Sequence, residues 1–141
     1  MAVTPTKIDK FVLNLGSKVY NLASDQLKVA LTNTSPTAST ANQYSDLTSP
    51  LATTNLSGAT PFNLTTTSFT QTSGTAKLII ADLVLTATGA VGPFRYVVLY
   101  SDTATNHELI AYCDYGSSIT MAAGDTFTID FDGSAGFLTL A

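Results

Sequence analysis

Apolar residues recur at helical spacing near the amino end of the chain. The stripe consists of Ile8, Phe11, Val12, Leu15, Val19 and Leu22. Thr4 and Pro5 suit the N-cap and the first helical position, because a proline there gives up no hydrogen bond that the helix needs. The pattern predicts one N-terminal amphipathic helix over residues 5–21, weakened in its middle by Gly16.

The period changes to two over residues 26–34, which predicts a strand with Leu27, Val29 and Leu31 on one face. Periodicity then disappears from 35 to 61, where Ser, Thr, Asn and Pro surround isolated Leu and Tyr residues. This composition predicts an extended loop or arm. A connection of this length is uncommon inside a compact domain and often contacts a partner.

Short runs of strand-forming residues follow one another from residue 62 to the end. They cover residues 62–71, 76–89, 94–102, 105–116, 125–132 and 136–141. Strands at this spacing, with turn residues between them, predict a mainly β fold, an antiparallel β-sandwich of jelly-roll-like or Ig-like type. The first half holds too little apolar material for a separate core, so residues 1–141 are predicted to form a single domain with its sandwich strands in 62–141.

The charge of the chain argues against nucleic acid as a partner, because its net charge is -4 and binding to phosphates requires Lys or Arg. Four lysines and two aspartates precede residue 30, so that segment carries +2 and the remainder carries -6. No apolar run approaches the roughly 20 residues that cross a bilayer, and no membrane segment or signal peptide is expected. The single cysteine excludes an internal disulfide.

The segment "TIDFDGSAG", residues 128–136, resembles the start of a calcium loop because Asp130 and Asp132 are two apart. The sixth position of such a loop requires glycine but is Ala135, and the twelfth requires glutamate but is Ala141. The segment therefore predicts the end of a strand and a turn. No metal site and no cofactor are predicted.

A hydrolase would need a nucleophile beside a base. His107 is the one histidine and lies in a polar turn, and "YGSSI" at 115–119 is not a nucleophile elbow and indicates another turn. Cys113 has the sequence context of a small buried residue in a strand. No catalytic residue is predicted, although a hydrolase dependent on His107 is kept as a remote alternative.

Aromatic residues share one parity of a predicted strand, namely Phe94, Tyr96 and Tyr100, with Tyr112 available on the neighbouring strand. A face lined by tyrosines can bind glycan or protein, but cross-strand aromatic pairs also stabilise sheets. Sheet packing is the favoured interpretation because the chain has no Trp and these strands are apolar on both faces.

Three phrases carry a resemblance to a known group of proteins. "KIDKFVLNLGSKVYNLASDQLKVALTNTSP", "GPFRYVVLYSDT" and "LIAYCDYGSSITMAAGDTFTIDFD" resemble, in this order, small virion structural proteins of tailed bacteriophages. The likeness covers nearly the whole chain except the loop between 36 and 61. It implies a place in the virion, after synthesis in the host bacterial cytoplasm, and transfers no functional residues.

The leading hypothesis is therefore a capsid decoration or cement protein that binds the major capsid protein and copies of itself. The predicted partner interface takes residues from the helix and from the arm: Lys7, Ile8, Lys10, Phe11, Leu15, Tyr44, Leu47, Leu51 and Leu56. The alternative is a tail-associated adsorption or receptor-binding module that uses the tyrosine face for host glycan.

Overall fold

Residues 4–141 are described by a computed structural model, which shows a mainly β, antiparallel fold with one N-terminal helix, as predicted. Residues 1–3, which begin the predicted single domain, lie outside the residues that the structure describes. Within 4–141 the strands are β1 (Thr6–Lys7), β2 (Leu27–Thr32), β3 (Thr66–Thr72), β4 (Thr75–Ile80), β5 (Leu83–Thr86), β6 (Val91–Ser101), β7 (Leu109–Met121), β8 (Thr126–Ile129) and β9 (Leu138–Leu140). The helix α1 spans Phe11–Gly16, and a 3₁₀ turn spans Tyr44–Asp46.

The longest strands, β6 and β7, pair as a hairpin at the centre of a four-stranded sheet with the order β1-β7-β6-β2. Val98 lies opposite Tyr112 and Leu99 opposite Ala111 in this hairpin. The remaining strands form a three-stranded sheet, β3-β4-β9, and a two-stranded ribbon, β5-β8. Each strand is antiparallel to its neighbours, as predicted. Only β3-β4 and β6-β7 join consecutive strands, and the other pairs are formed by strands far apart in the sequence.

One apolar core joins all three sheets, which gives the fold its sandwich-like arrangement. Its buried members from the four-stranded sheet include Leu27, Val29, Leu31, Phe94, Leu99 and Ile110, and those from the other two sheets include Leu78, Ile80, Leu85, Ile129 and Leu138. The alternation over β2 placed Leu27, Val29 and Leu31 on one face correctly. The core therefore follows from period-two patterning of the strands.

The opposite face of the four-stranded sheet is covered by the first part of the irregular segment, residues 35–48, whereas Leu51 and Leu56 further along pack on the main core. A second apolar cluster forms there from Ile8, Ala30, Ala41, Leu47, Val98, Tyr100 and Leu109. Backbone hydrogen bonds hold the segment against the sheet, since the Tyr44 N–H donates to the His107 carbonyl and the Leu109 N–H donates to the Asn42 carbonyl. The segment contains no strand, as predicted, but it is packed on the body of the protein.

The helix is much shorter than the predicted 5–21. Thr6 and Lys7 form β1 instead, because they pair with Tyr112 and Ala111 of β7 and so adopt an extended backbone. Lys10, not Thr4, is the N-cap residue. The helix ends before Lys18, whose left-handed backbone (φ 61) cannot continue an α-helix.

The predicted single strand over 76–89 is in fact two strands in different sheets, β4 and β5. The break falls at Ala81 and Asp82, where an Asp82 carboxylate oxygen accepts a hydrogen bond from the Phe131 N–H at 2.9 Å. A further correction concerns residues 115–119, predicted as a turn, which continue β7 with Gly116 at φ 95.

Phe11 and Val12 are adjacent in α1 but differ in burial, and they provide a matched test of how the helix packs. Phe11 is fully buried whereas Val12 is 61% exposed. We expect Phe11→Ala to lower the free energy of unfolding by about 3–5 kcal/mol, through lost transfer energy and a cavity. Val12→Ala should change it by no more than about 0.5 kcal/mol. Urea unfolding measures both, and equal losses would show that the helix packs through a different face.

Candidate functional site

The predicted interface residues fall into three groups by exposure. Ile8, Phe11, Leu47 and Leu56 are buried in the protein's own cores, Leu15, Tyr44 and Leu51 are half-buried, and Lys7 and Lys10 are exposed. The first group stabilises this chain and presents no surface to a partner. Partner binding by the exposed members stays a prediction.

The inner side of α1 is held by an aromatic and polar network. Phe11 stacks on Tyr20 with ring centroids 5.8 Å apart, and the Tyr20 hydroxyl accepts a hydrogen bond from the Asn14 amide and donates one to the Leu109 carbonyl. Burial raises the pKa of Tyr20, so the hydroxyl stays protonated as this donor. The inner contacts fix which side of the helix faces solvent.

The outer side of α1 presents two large apolar side chains, Val12 at 61% and Leu13 at 65% exposure. Helical periodicity predicts Val12 on the buried stripe and gives no indication that Leu13 is exposed. A signal was available, because three consecutive apolar residues from Phe11 to Leu13 cannot all face one side of a helix at 3.6 residues per turn. An exposed apolar pair of this kind marks a candidate contact surface.

A second candidate surface is the tip of the irregular segment, residues 52–60, where every residue except Leu56 is exposed. The tip is anchored on the body of the protein, since Leu56 is 6% exposed and forms an isolated antiparallel β-bridge with Ala87. The Asn55 amide also donates to the Ala90 carbonyl at 2.7 Å, and the Ser57 N–H donates to the Thr86 carbonyl at 2.9 Å. This surface, the loop tip, is therefore held in place and bears uncharged side chains.

The tyrosine face contains fewer aromatic residues than predicted. The chain shifts register between Phe94 and Tyr96, so Phe94 enters the main core and does not share a face with the tyrosines. Tyr96 and Tyr112 meet edge to face at 6.3 Å, and Tyr100 packs against Tyr44 at 5.0 Å. These contacts confirm that aromatic residues pack across the sheet.

A charged pair borders these tyrosines. The Arg95 guanidinium lies over the Tyr96 ring at 5.4 Å from its centroid. Arg95 also donates two hydrogen bonds to the Asp114 carboxylate, at 2.6 and 2.9 Å. The hydrogen bonds from Arg95 lower the pKa of Asp114, and the same contacts raise the pKa of Arg95. Both groups stay charged beside the ring, so the partly exposed Tyr96 and Tyr112 have polar neighbours.

The Asp130 and Asp132 segment forms a turn, as predicted. One Asp132 carboxylate oxygen accepts hydrogen bonds from the Ser134 N–H, the Ser134 hydroxyl and the Ala135 N–H. These bonds lower the pKa of Asp132, with the one from Ala135 contributing most. Within residues 4–141 no group of three or more His, Cys, Asp and Glu side chains is placed to hold a metal ion.

The residues considered for hydrolysis lie apart. His107 is in an exposed turn, and its Nδ1 lies 3.1 Å from the Asp102 carbonyl and 3.6 Å from the Asp102 carboxylate. Ser118 instead donates to the Asn33 side chain at 2.6 Å, and Cys113 is buried in β7. The His107 side chain thus contacts the backbone and carboxylate of Asp102 and the Tyr100 ring, rather than a nucleophile.

Comparison of the chain with protein-family models, with curated proteins and with solved structures gave no significant match. Among the helices in residues 4–141, none has the length and apolar character required to cross a bilayer.

The buried thiol of Cys113 gives a prediction about pH. Burial raises its pKa from 9.0 to about 11, so the folded state binds the proton more tightly than the unfolded state does. The stabilisation is complete below pH 9 and declines as the pH rises from 9 towards 11. We expect the unfolding free energy of the wild type to fall relative to Cys113→Ala as the pH is raised through 9. Curves that stay parallel would show that the thiol is not desolvated.

Proposed function

We propose that this chain is a non-enzymatic structural protein of a tailed-bacteriophage virion. Within the virion we propose a decoration or cement role, in which the protein binds the major capsid protein on the outer face of the head. Support comes from the resemblance of the three sequence phrases and, above all, from one structural observation. A long segment without strands is held against the sheet and presents an ordered, uncharged surface at the loop tip.

Lack of charge favours burial of the loop tip in a protein contact. Asp46 is the one charged residue between 35 and 61, and the tip itself consists of Thr, Ala, Asn, Ser, Gly and the buried Leu56. Burying a charge without a partner is far more costly than burying a hydroxyl that can form hydrogen bonds. The same composition suits contact across several capsid subunits whose local charges differ.

Anchoring of the segment also favours binding. A loop that must be ordered on contact loses about 0.5–1.5 kcal/mol for each immobilised flexible side chain, besides its backbone entropy. Here Leu51 is already bonded to β2 through its N–H and the Leu31 carbonyl, at 2.8 Å, and Leu56 is buried. Most of the ordering has therefore taken place during folding.

Stabilisation of the head follows from mass action. A protein that binds the assembled shell and not its free subunits shifts the equilibrium towards the shell by RT ln(1 + [L]/Kd) for each site. At a free concentration one hundred times Kd, this amounts to about 2.7 kcal/mol per site. Many sites on one head would add their contributions without any chemical step.

A second candidate is a tail-associated adsorption module, which the partly exposed Tyr96 and Tyr112 favour. Their rings, with Arg95 and Asp114 beside them, combine apolar and hydrogen-bonding groups suited to a host glycan. The copy number in the intact virion separates the two proposals. Hundreds of copies favour decoration, and a few copies favour adsorption.

The decoration role predicts saturable binding of the purified protein to heads assembled without it, with an increase in the temperature at which those heads disassemble. Thr54→Glu places a charge on the exposed loop tip and should weaken binding by about tenfold or more, equivalent to 1.4 kcal/mol. Thr70→Glu, at an exposed position of β3, serves as the matched control and should bind normally. Absence of saturable binding by the wild type would refute the decoration role, and equal weakening by both variants would exclude the loop tip as the contact.

A further inference from the structure

The edge strands of the three sheets differ in length and in how they are covered. β2 is flanked on its outer side, since the Leu51 N–H donates to the Leu31 carbonyl and the Val29 N–H donates to the Phe62 carbonyl. β1, β5, β8 and β9 have four residues or fewer. Within residues 4–141, β3 is therefore the longest edge strand without a neighbour on its outer side, at seven residues.

β3 also lacks most of the features that protect an exposed edge strand from pairing. Such edges are normally blocked by charged side chains, by proline or by a bulge, because unpaired backbone groups accept another strand. No charged residue and no proline occurs from 62 to 76. A bulge lies only at the start of the strand, between Thr66 and Ser68. Residues 68–72, here called the β3 edge, are therefore a regular and uncharged stretch that is open to another strand.

The turn after β3 determines which of its backbone groups point outward. Residues 73–74 have positive φ values of 52 and 83, as in a two-residue type I′ hairpin, so the flanking Thr72 and Thr75 form a hydrogen-bonded pair. Hydrogen-bonded and non-hydrogen-bonded pairs alternate along an antiparallel ladder. The N–H and C=O groups of Phe69 and Gln71 therefore point away from β4. No backbone hydrogen bond to another part of residues 4–141 uses these groups.

We propose that the β3 edge of one copy pairs antiparallel with the β3 edge of a second copy, about a two-fold axis at Thr70. Because Thr70 is the midpoint of the stretch, it lies opposite Thr70 of the second copy, and Phe69 lies opposite Gln71. The outward groups of Phe69 and Gln71 then form about four hydrogen bonds between the copies. The two three-stranded sheets become continuous, in the order β9-β4-β3-β3-β4-β9.

The side chains of the β3 edge suit pairing with an identical strand. Reversing the stretch against itself places Ser68 opposite Thr72 and Thr70 opposite Thr70, and hydroxyl pairs of this kind contribute favourably across antiparallel strands. No like charges meet. The one charged residue of β4 is Lys77, opposite Thr70. Its counterpart would lie roughly 14 Å away, at three strand spacings of about 4.8 Å, which exceeds the Debye length of about 8 Å.

Pairing also covers an apolar side chain at the margin of the main core. Phe69 packs against that core but is only half-buried, and Gln71 of the second copy would lie beside it. A two-fold contact uses the same surface on both copies. One pairing therefore occupies both β3 edges, and assembly through this contact ends at a dimer.

This contact goes beyond the proposed function, because it involves neither the head nor the loop tip. Each copy keeps its own loop tip, so a chain that cannot pair is expected to bind heads with unchanged affinity per copy. Pairing is measured on the purified chain without heads. A monomeric wild type that binds heads would refute the pairing alone, and a dimer that does not bind heads would refute the decoration role alone.

Sedimentation velocity over a concentration series tests the pairing. Two paired edges of this length bury less than the roughly 1,200–2,000 Å² of stable complexes, so a weak and reversible dimer is expected. Thr70→Glu and Thr70→Lys each place like charges opposite each other and should weaken association about tenfold or more. An equimolar mixture of the two variants should associate again, because glutamate then lies opposite lysine.

Thr139→Glu is a matched control for the added charge. Thr70 and Thr139 lie opposite Lys77 from its two sides, on the same face of the three-stranded sheet, and both are exposed. Because Thr139 belongs to β9, at the other edge of that sheet, Thr139→Glu should associate like the wild type. Equal weakening by Thr70→Glu and Thr139→Glu would show that the copies do not meet at the β3 edge.

Gln71→Pro and Gln71→Ala separate backbone pairing from side-chain contact. Both variants lose the hydrogen bond that the Gln71 side chain accepts from the Gly74 N–H at 2.8 Å, but only proline removes the outward N–H. Proline is tolerated on an edge strand where the N–H faces solvent. Gln71→Pro should therefore associate about tenfold or more weakly than Gln71→Ala.

Circular dichroism verifies that each variant is folded before its association is compared. A wild type that stays monomeric up to its solubility limit would overturn the proposal. So would a mixture of the Thr70→Glu and Thr70→Lys chains that stays monomeric, or equal association of the two Gln71 variants.

Discussion

The structure depends on the burial of both faces of the β6-β7 hairpin. Five consecutive residues of β6, from Val97 to Ser101, are buried, as are Leu109, Ile110 and Ala111 at the start of β7. A strand with one polar face can border water, but a strand that is apolar on both faces requires a cover on each side. The two smaller sheets provide one cover, and the irregular segment with Ile8 provides the other.

Covering the second face explains why a segment rich in Thr, Ser and Pro adopts one conformation. Two of its apolar side chains, Ala41 and Leu47, pack on the hairpin as anchors. A hydrogen bond adds to these apolar contacts, since the fully buried Thr32 hydroxyl donates to the Thr48 carbonyl at 2.6 Å. The hairpin thus orders the segment, and the ordered segment supports the loop tip on which the proposed shell contact rests.

The fold class and most strands could be predicted because period-two patterning depends only on neighbouring residues. The errors arose where distant pairing overrides local preference. Nothing in the neighbouring sequence predicts that Thr6 and Lys7 lie outside the helix. In the fold, their backbone groups pair with the edge of β7. Register shifts in β6 likewise reverse the face of Phe94 relative to Tyr96, and a parity count along the sequence cannot detect such a bulge.

The candidate surfaces were harder to predict than the core, since the exposure of a side chain is a property of the folded chain and not of its neighbouring residues. Leu47 and Leu56 look like contact residues in a polar sequence, yet both are anchors, while Leu13 and Val84 look like core residues and are exposed. The distinction has a physical consequence for the proposed shell contact. Because the loop tip carries no charge, salt should affect that contact little, whereas contacts between charges are screened over about a Debye length, near 8 Å at physiological ionic strength.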